Sequence, residues 1–314
     1  MEFTAGIDFG GSSVKLGLVE RSGAVAGRGT VSIDPREGFE PTLGAVERCL
    51  RGLVDGLDPG DRLIAVGIGT PGFIDKETGT VVGGCENIPA LQGRSPSERI
   101  ARSFGVPSFT DNDATCAAAG ELSFGAGRTL GSFVLMTLGT GIGGGLVLDG
   151  RVFRGSRGFA AEIGHLCVDP NGLWCNCGSR GCLEQYASGP GMVRLHAERL
   201  AKRRMPVPIP PYTPKDIVDM ARAGDRLAMD TLEDSGRWIS QAFGSILNIL
   251  DLEACIVGGG ISQAGEILLE PIRRHLPDFT WPIVREGVSI LAAELKNDAG
   301  ILGAAAQAID RLEG

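Results

Sequence analysis

The sequence predicts an α/β protein built as two similar lobes. Three observations carry that reading. A strand, glycine turn, strand element occurs at residues 4–20 and again around 138–150. An apolar strand at 106–109 runs through acidic residues directly into an alanine-rich helical run at 114–122. The length, 314 residues, suits one large domain or two ordinary ones, and a chain of this size buries roughly three quarters of its unfolded surface.

The first element is Thr4 to Phe9, then Gly10-Gly11-Ser12-Ser13, then Val14 to Glu20. Asp8 stands just before the glycines, where a strand end aims its carboxylate into the loop. Glycine lets backbone N–H groups approach an anion with no Cβ in the way, and Ser12, Ser13 and Lys15 add donors. The same residues also suit a plain hairpin turn. Both readings stay open.

The second, LGTGIGGGLVLDG (Leu138 to Gly150), contains Gly139-x-Gly141-x-x-Gly144, the pattern of a dinucleotide fingerprint. That fingerprint must open a helix, whereas Gly145 to Gly150 continues as another short strand and turn. Two such hairpins, each with amides and a hydroxyl (Ser12 or Ser13, and Thr140), suit the two sides of a polyphosphate. A third cluster, Cys255 to Ser262, feeds a strand into Gly258-Gly259-Gly260 after a long helical pattern. It suits close approach of a flat ligand, or simply a tight strand-to-helix turn.

Composition limits the function classes. Glycine makes up 49 residues, and 15 of them fall in the 61 residues from Gly131 to Gly191, so the excess over the usual share of about 7% is local. Lys and Arg number 30 against 38 Asp and Glu, for a net charge of −8. With no basic stripe, nucleic acid and anionic membranes are not expected partners. The segment Thr129 to Leu148 is uncharged over twenty residues but holds six glycines, which fits two buried strands better than a bilayer helix. The N-terminus MEFTAGIDFGG lacks a basic n-region, so a cytoplasmic location is expected.

Eight cysteines in such a chain suit thiols or metal ligands better than disulfides. Cys175-x-Cys177-x4-Cys182, with His165, makes a tetrahedral Cys3His zinc set. Cys167 competes with His165 for the fourth place, and reduced buried thiols are the plain alternative. A full four-ligand shell leaves no open position, so the metal is structural. It would fix a loop that also carries Glu184.

The segment Thr110-Asp111-Asn112-Asp113-Ala114 puts carboxylates where a strand ends and a helix starts, a usual place for catalytic groups in α/β proteins. Asp111 or Asn112 also suits a helix cap. Glu162 and His165, three apart beside a glycine-rich run, suit hydrogen bonding to a polyhydroxylated substrate.

Across nearly the whole chain these motifs resemble the ROK group of sugar kinases and related repressors, within the hexokinase and actin-like ATPase superfamily. The residues carrying the resemblance are GIDFGGSSVKLGLVE, GIGTPGFID (Gly67 to Asp75), DNDA, LGTGIGGGLVLDGRVFRGSRGFAAEIGH, CNCGSRGCLEQYAS, VGGGIS and NDAGILGAA (Asn297 to Ala305). The resemblance implies a two-lobed actin-like fold with mixed sheets and an interlobe cleft. The small lobe would comprise 1–114 plus 299–314, and the large lobe 115–298 with the zinc loop.

The resemblance also assigns roles. Asp113 would be the general base for ATP-dependent phosphorylation of a hexose, most simply glucose to glucose 6-phosphate. Asn112, Glu162, His165 and Glu184 would hold sugar hydroxyls, with Gly72 and Asn87 as further contacts; His165 would serve both sugar and metal through its two ring nitrogens. Asp8 would orient Mg²⁺, Gly10, Gly11, Lys15, Thr140 and Gly141 would cradle phosphates, and Gly259 and Gly260 would border the adenosine. Zinc would sit on His165, Cys175, Cys177 and Cys182, and the protein would be a homodimer.

Kinases of fructose, allose, N-acetylglucosamine or N-acetylmannosamine are the rival readings within the group. A sugar-responsive repressor is the rival from another class; the first phosphate motif begins at Gly6, leaving no room before it for a DNA-binding domain. The proline-rich stretch RRMPVPIPPYTP (Arg203 to Pro214) departs from the group's pattern, and CENIPAL around Asn87 matches it only in part.

Overall fold

A computed structural model describes residues 1–34 and 36–313. They form two compact units, residues 1–131, 145–161 and 294–314 in unit 1 and 132–144 and 162–293 in unit 2.

Unit 1 opens with strands β1 (Glu2–Phe9), β2 (Ser13–Glu20) and β3 (Val25–Ser32), then helix α1 (Phe39–Asp55), strand β4 (Arg62–Thr70), the short strands β5 (Phe73–Ile74) and β6 (Val81–Gly83), helix α2 (Pro96–Phe104), strand β7 (Ser108–Asn112) and helix α3 (Asp113–Phe124). The sheet order is β3-β2-β1-β4-β7. β1 pairs antiparallel with β2 and parallel with β4, so the sheet is mixed, as expected. Alternation along β1 and β2 places Phe3, Ile7, Phe9, Val14, Leu16 and Leu18 in one core with Leu43, Val46 and Leu50 of α1. Those three follow the helical three- and four-residue spacing of a buried stripe.

The C-terminal helix covers this sheet at very short range. A Cβ on Gly6 would lie 1.9 Å from the carbonyl oxygen of Ile301, and one on Gly67 would lie 1.7 Å from that of Ala304. Backbone-on-backbone packing this close requires glycine on the strand. Gly120 of α3 meets Gly303 in the same way, at 2.9 Å to its Cα. The expected lobe boundary at residue 114 falls one residue into α3, and this contact keeps the whole helix in unit 1.

Unit 2 holds strand β8 (Phe133–Leu138) and the first part of β9 (Ile142–Leu148), which then continues into unit 1 and pairs there with β10 (Arg151–Val152). Helices α4 (Glu184–Ala187), α5 (Gly189–Lys202), α6 (Pro214–Arg222) and α7 (Arg226–Leu250) follow. Strand β11 (Ala254–Gly258), helices α8 (Glu266–His275) and α9 (Pro282–Arg285) and strand β12 (Ser289–Ala292) complete the unit. Helix α10 (Ala299–Glu313) is the C-terminal helix of unit 1. β11 runs parallel to both β8 and β12.

The glycines at 143–145 lie inside β9 and open no helix, so the dinucleotide reading fails as the sequence context requires. The uncharged stretch 129–148 contains the whole of β8 and β9 and the turn between them. Among the described residues, no helix is long and apolar enough to cross a membrane.

Candidate active site

Unit 1 carries its polar groups at strand ends. Asp8 is the penultimate residue of β1, opposite Lys15 of β2 and beside Gly69 of β4. A Cβ on Gly300, in the first turn of α10, would fall 2.3 Å from the Asp8 carboxyl carbon, so only glycine leaves that carboxylate its place. Desolvation raises the Asp8 pKa, and the Lys15 charge opposes the shift. A half-buried carboxylate beside a glycine turn fits a hydrated divalent cation, which supplies the charge that desolvation withholds. Gly10 donates its N–H to the Ser13 carbonyl at 2.9 Å. A Cβ on Gly11 would meet nothing within 4 Å, so that turn is open.

At the other strand end, Asn112 caps α3. Its Oδ1 accepts from the N–H groups of Ala114 (2.9 Å) and Thr115 (3.2 Å), and its Nδ2 donates to the Gly72 carbonyl at 3.1 Å. Such a cap contributes about 1 kcal/mol. Asp113 opens the helix, with Oδ1 accepting from the N–H of Ala114 at 2.8 Å.

Asp111, two residues before Asp113, is buried and accepts from Arg154 Nε at 2.6 Å. Its role is structural, since it pins the strand end to the segment after β10. Asn87 sits exposed on the turn before the short helical turn Pro89–Leu91.

In unit 2, Glu184 opens α4, and its Oε2 accepts from the N–H of Ile142 at 2.9 Å. A Cβ on Gly141 would fall 2.6 Å from that oxygen; glycine there gives the carboxylate access to the start of β9. Glu162 Oε2 lies 4.0 Å from His165 Nε2. Desolvation raises the Glu162 pKa; His165 lowers it and the nearby Glu184 charge raises it further.

The other ring nitrogen of His165, Nδ1, is 3.7 Å from Cys175 Sγ, and Cys177 Sγ is 3.6 Å from Cys182 Sγ. The four ligand atoms lie within 4.8 Å of one another. Two sulfurs each about 2.3 Å from a tetrahedral zinc stand about 3.8 Å apart, so the spacing fits a shared ion and exceeds a disulfide. Burial and the neighbouring thiols push Cys182 up to about 12. A divalent cation supplies the charge that makes such a thiol a thiolate ligand. Gln185 Nε2 donates to Cys175 Sγ at 3.6 Å, and Cys167 stays outside the four-atom cluster.

The loop around the cluster has little regular structure and is held from outside. The Leu173 N–H donates to Tyr186 Oη at 2.9 Å, Tyr186 packs on Trp238 of α7, and Gln241 Nε2 donates to the Val168 carbonyl at 2.8 Å.

The glycine turns of unit 2 border a cavity of ≈ 800 Å³. Thr140 and Gly260, both expected from the sequence, line it. Gly259 stands behind them at φ +81, where a Cβ would strike the Leu138 carbonyl oxygen at 2.4 Å; the positive φ and close approach both demand glycine. The rest of the wall was missed by sequence reasoning. Pro210 to Pro214, within the stretch that departs from the group's pattern, form one side, with Lys215, Val218 and Arg222 of α6. The run of prolines was the available signal.

The family model described as the ROK family matches residues 4–311. A glucokinase from Thermotoga maritima is 36% identical over 315 residues, covering 98% of this chain and 98% of its own. A crystal structure of a ROK family glucokinase from Streptomyces griseus, in complex with glucose and AMPPNP, superimposes with a TM-score of 0.83 at 34% identity over 98% of this chain and 99% of that one. A ROK family transcriptional regulator, a homologue of the E. coli MLC protein, reaches 0.85 at 27% identity over 97% of this chain and 77% of its own. The fold is therefore that of the hexokinase and actin-like ATPases, as the sequence motifs implied.

Proposed function

The chain belongs to the ROK family, and on that premise we propose that it is an ATP-dependent hexose kinase whose preferred acceptor is glucose at the 6-hydroxyl. The observation that carries this reading is the strand-end carboxylate Asp113 at the start of a capped helix, in a chain similar to glucokinases over 98% of its length.

In this reading Asp113 takes the proton of the sugar hydroxyl as its oxygen attacks the γ-phosphorus. The bond to the β–γ bridging oxygen breaks and ADP leaves. Asn112, Glu162, His165 and Glu184 hold the other hydroxyls, with Gly72 and Asn87 beside them. Asp8 orients Mg²⁺. Gly10, Gly11, Lys15, Thr140 and Gly141 bind phosphates, and Gly259 and Gly260 border the adenosine. His165, Cys175, Cys177 and Cys182 hold a structural zinc, which fixes the ring of His165 and the segment leading to Glu184. The enzyme is a cytoplasmic homodimer.

A screen of ATP-dependent phosphorylation over hexoses and N-acetylhexosamines, with polyphosphate as a second donor, tests the reading. Glucose with ATP is expected to give the highest kcat/KM. A higher value with another sugar or with polyphosphate would reassign the substrate. A non-catalytic regulator, favoured by the high TM-score of the transcriptional relative, predicts sugar binding with no ADP formed.

A further inference from the structure

We infer that the donor pocket accepts purine nucleoside triphosphates as a class and not ATP alone, because its wall is largely apolar and its available side chains both donate and accept hydrogen bonds. This inference rests on the kinase reading above.

The cavity wall in unit 2 includes Pro210, Pro211 and Pro214, none of which has an N–H to offer a base. The charged side chains around it are engaged. Lys215 is ion-paired with Asp219, and Arg222 donates to the carbonyls of Gln263 (2.8 Å) and Ala264 (3.1 Å). The Thr213 hydroxyl is closed into a capping box with Asp216.

Thr140 belongs to the glycine turn, which leaves Tyr212 and Gln263, among the described residues of the wall, as the polar side chains open to a base. A phenol and a primary amide each donate and accept. Adenine presents an amino donor beside an acceptor nitrogen; guanine and hypoxanthine present a carbonyl acceptor beside an N–H. An amide that turns over pairs with either edge, so exchanging the purines strands no buried partner.

The flat part of the wall is fixed in advance. The Tyr212 ring stands edge-on to His196, with centroids 5.5 Å apart. His196 is buried, 3.1 Å from Thr231 Oγ1, and desolvation lowers its pKa. A ring held this way offers contact area to any purine without regard to its substituents.

The test is steady-state phosphorylation of glucose by the full chain with ATP, GTP and ITP. A site reading by apolar contact separates isosteres by up to about 200-fold, whereas one built around a fixed hydrogen bond separates them by about 10⁴ or more. GTP and ITP are expected within about 200-fold of ATP in kcat/KM, and a larger gap overturns the inference while leaving the kinase reading standing. Failure of all three donors removes the kinase reading and this one with it. Gln263→Leu is expected to lower ATP and GTP efficiency in parallel; selective loss of one purine contradicts an ambivalent reader. Tyr212→Ala is expected to raise the KM of both purines by about tenfold, in line with lost stacking, with the hexose KM unmoved. An unmoved donor KM would remove the ring from the pocket.

Discussion

The two units hold their polar groups by opposite means. In unit 1, Asp8, Asn112 and Asp113 stand at the ends of β1 and β7, where the strand ladder and a helix cap fix the backbone beneath each carboxylate or amide. In unit 2, Glu162, His165 and the cysteines stand on a segment whose only helical element between β10 and α4 is the three-residue turn Ile163–His165. Strand ends need nothing further to aim a side chain. A loop does, and the cluster of one imidazole and three thiols is the cross-link that this one offers. The proposed function then implies a division of labour, in which the base Asp113 and the cation's carboxylate Asp8 stand in unit 1 with Asn112, while Glu162, His165 and Glu184 of unit 2 would hold hydroxyls from a segment that a second ion would keep in place.

Substitution of Asp113 or Asp8 should therefore act on kcat, and substitution of the hydroxyl-binding groups of unit 2 on hexose KM. The largest expected effect is Asp113→Asn, which removes the base without altering size or the Asn112 cap. Its kcat should fall by about 10³–10⁴, and turnover within tenfold of the parent would break the assignment.

Next is Asp8→Asn, expected to cost about 10²–10³ in kcat through lost placement of the cation charge. It also carries a pH signature. Burial raises the folded-state pKa of Asp8, so its contribution to stability is full below the ordinary carboxylate range and is lost as pH rises through the raised value. Without ligand, Asp8→Asn should thus melt higher than the parent at pH 8 and close to it at pH 4. A variant less stable at pH 8 would contradict the desolvation argument.

Cys177→Ser probes the loop. It should lower the metal content of the purified protein and cost on the order of 4 kcal/mol of stability, the range in which loss of a bound metal falls. Its hexose KM should rise more than its kcat falls. Unchanged metal content by elemental analysis would remove the ion from the account. The smallest effect is expected from Gly141→Ala, whose new Cβ would displace the Glu184 carboxylate from the Ile142 N–H. Leaving that donor unpaired costs about 1–3 kcal/mol, visible as about a tenfold rise in hexose KM.

The same contrast explains what was legible in the sequence. Strand, glycine turn, strand patterns and the acidic strand-to-helix junction follow from local periodicity, and each is present, although the junction strand runs over Ser108–Asn112 and so takes in Asp111 and Asn112, which the sequence reading puts after it. The ligand spacing around Cys175 to Cys182 was readable because coordination chemistry restricts residue type and separation together. The glycine excess was only partly read. Gly6, Gly67 and Gly303 lie on packing surfaces with α10 taking part on each, and Gly300 makes room for Asp8. Nothing local in β1 or β4 signals a helix arriving from more than 200 residues away in sequence, so those positions carry no pattern of their own. The wall around Tyr212 was hidden for a related reason. A proline-rich stretch reads as a loop, and only the chain's path past Gly139 and Gly260 turns that loop into one side of a cavity.

The division of labour is tested most directly by measuring glucose binding to Asp113→Asn calorimetrically beside its turnover. The account predicts a Kd within about threefold of the parent, a difference of less than about 0.7 kcal/mol, together with a kcat lost by about 10³ or more. A variant that loses glucose affinity by tenfold or more along with its turnover would show that Asp113 holds the sugar instead of taking its proton, and would contradict the claim.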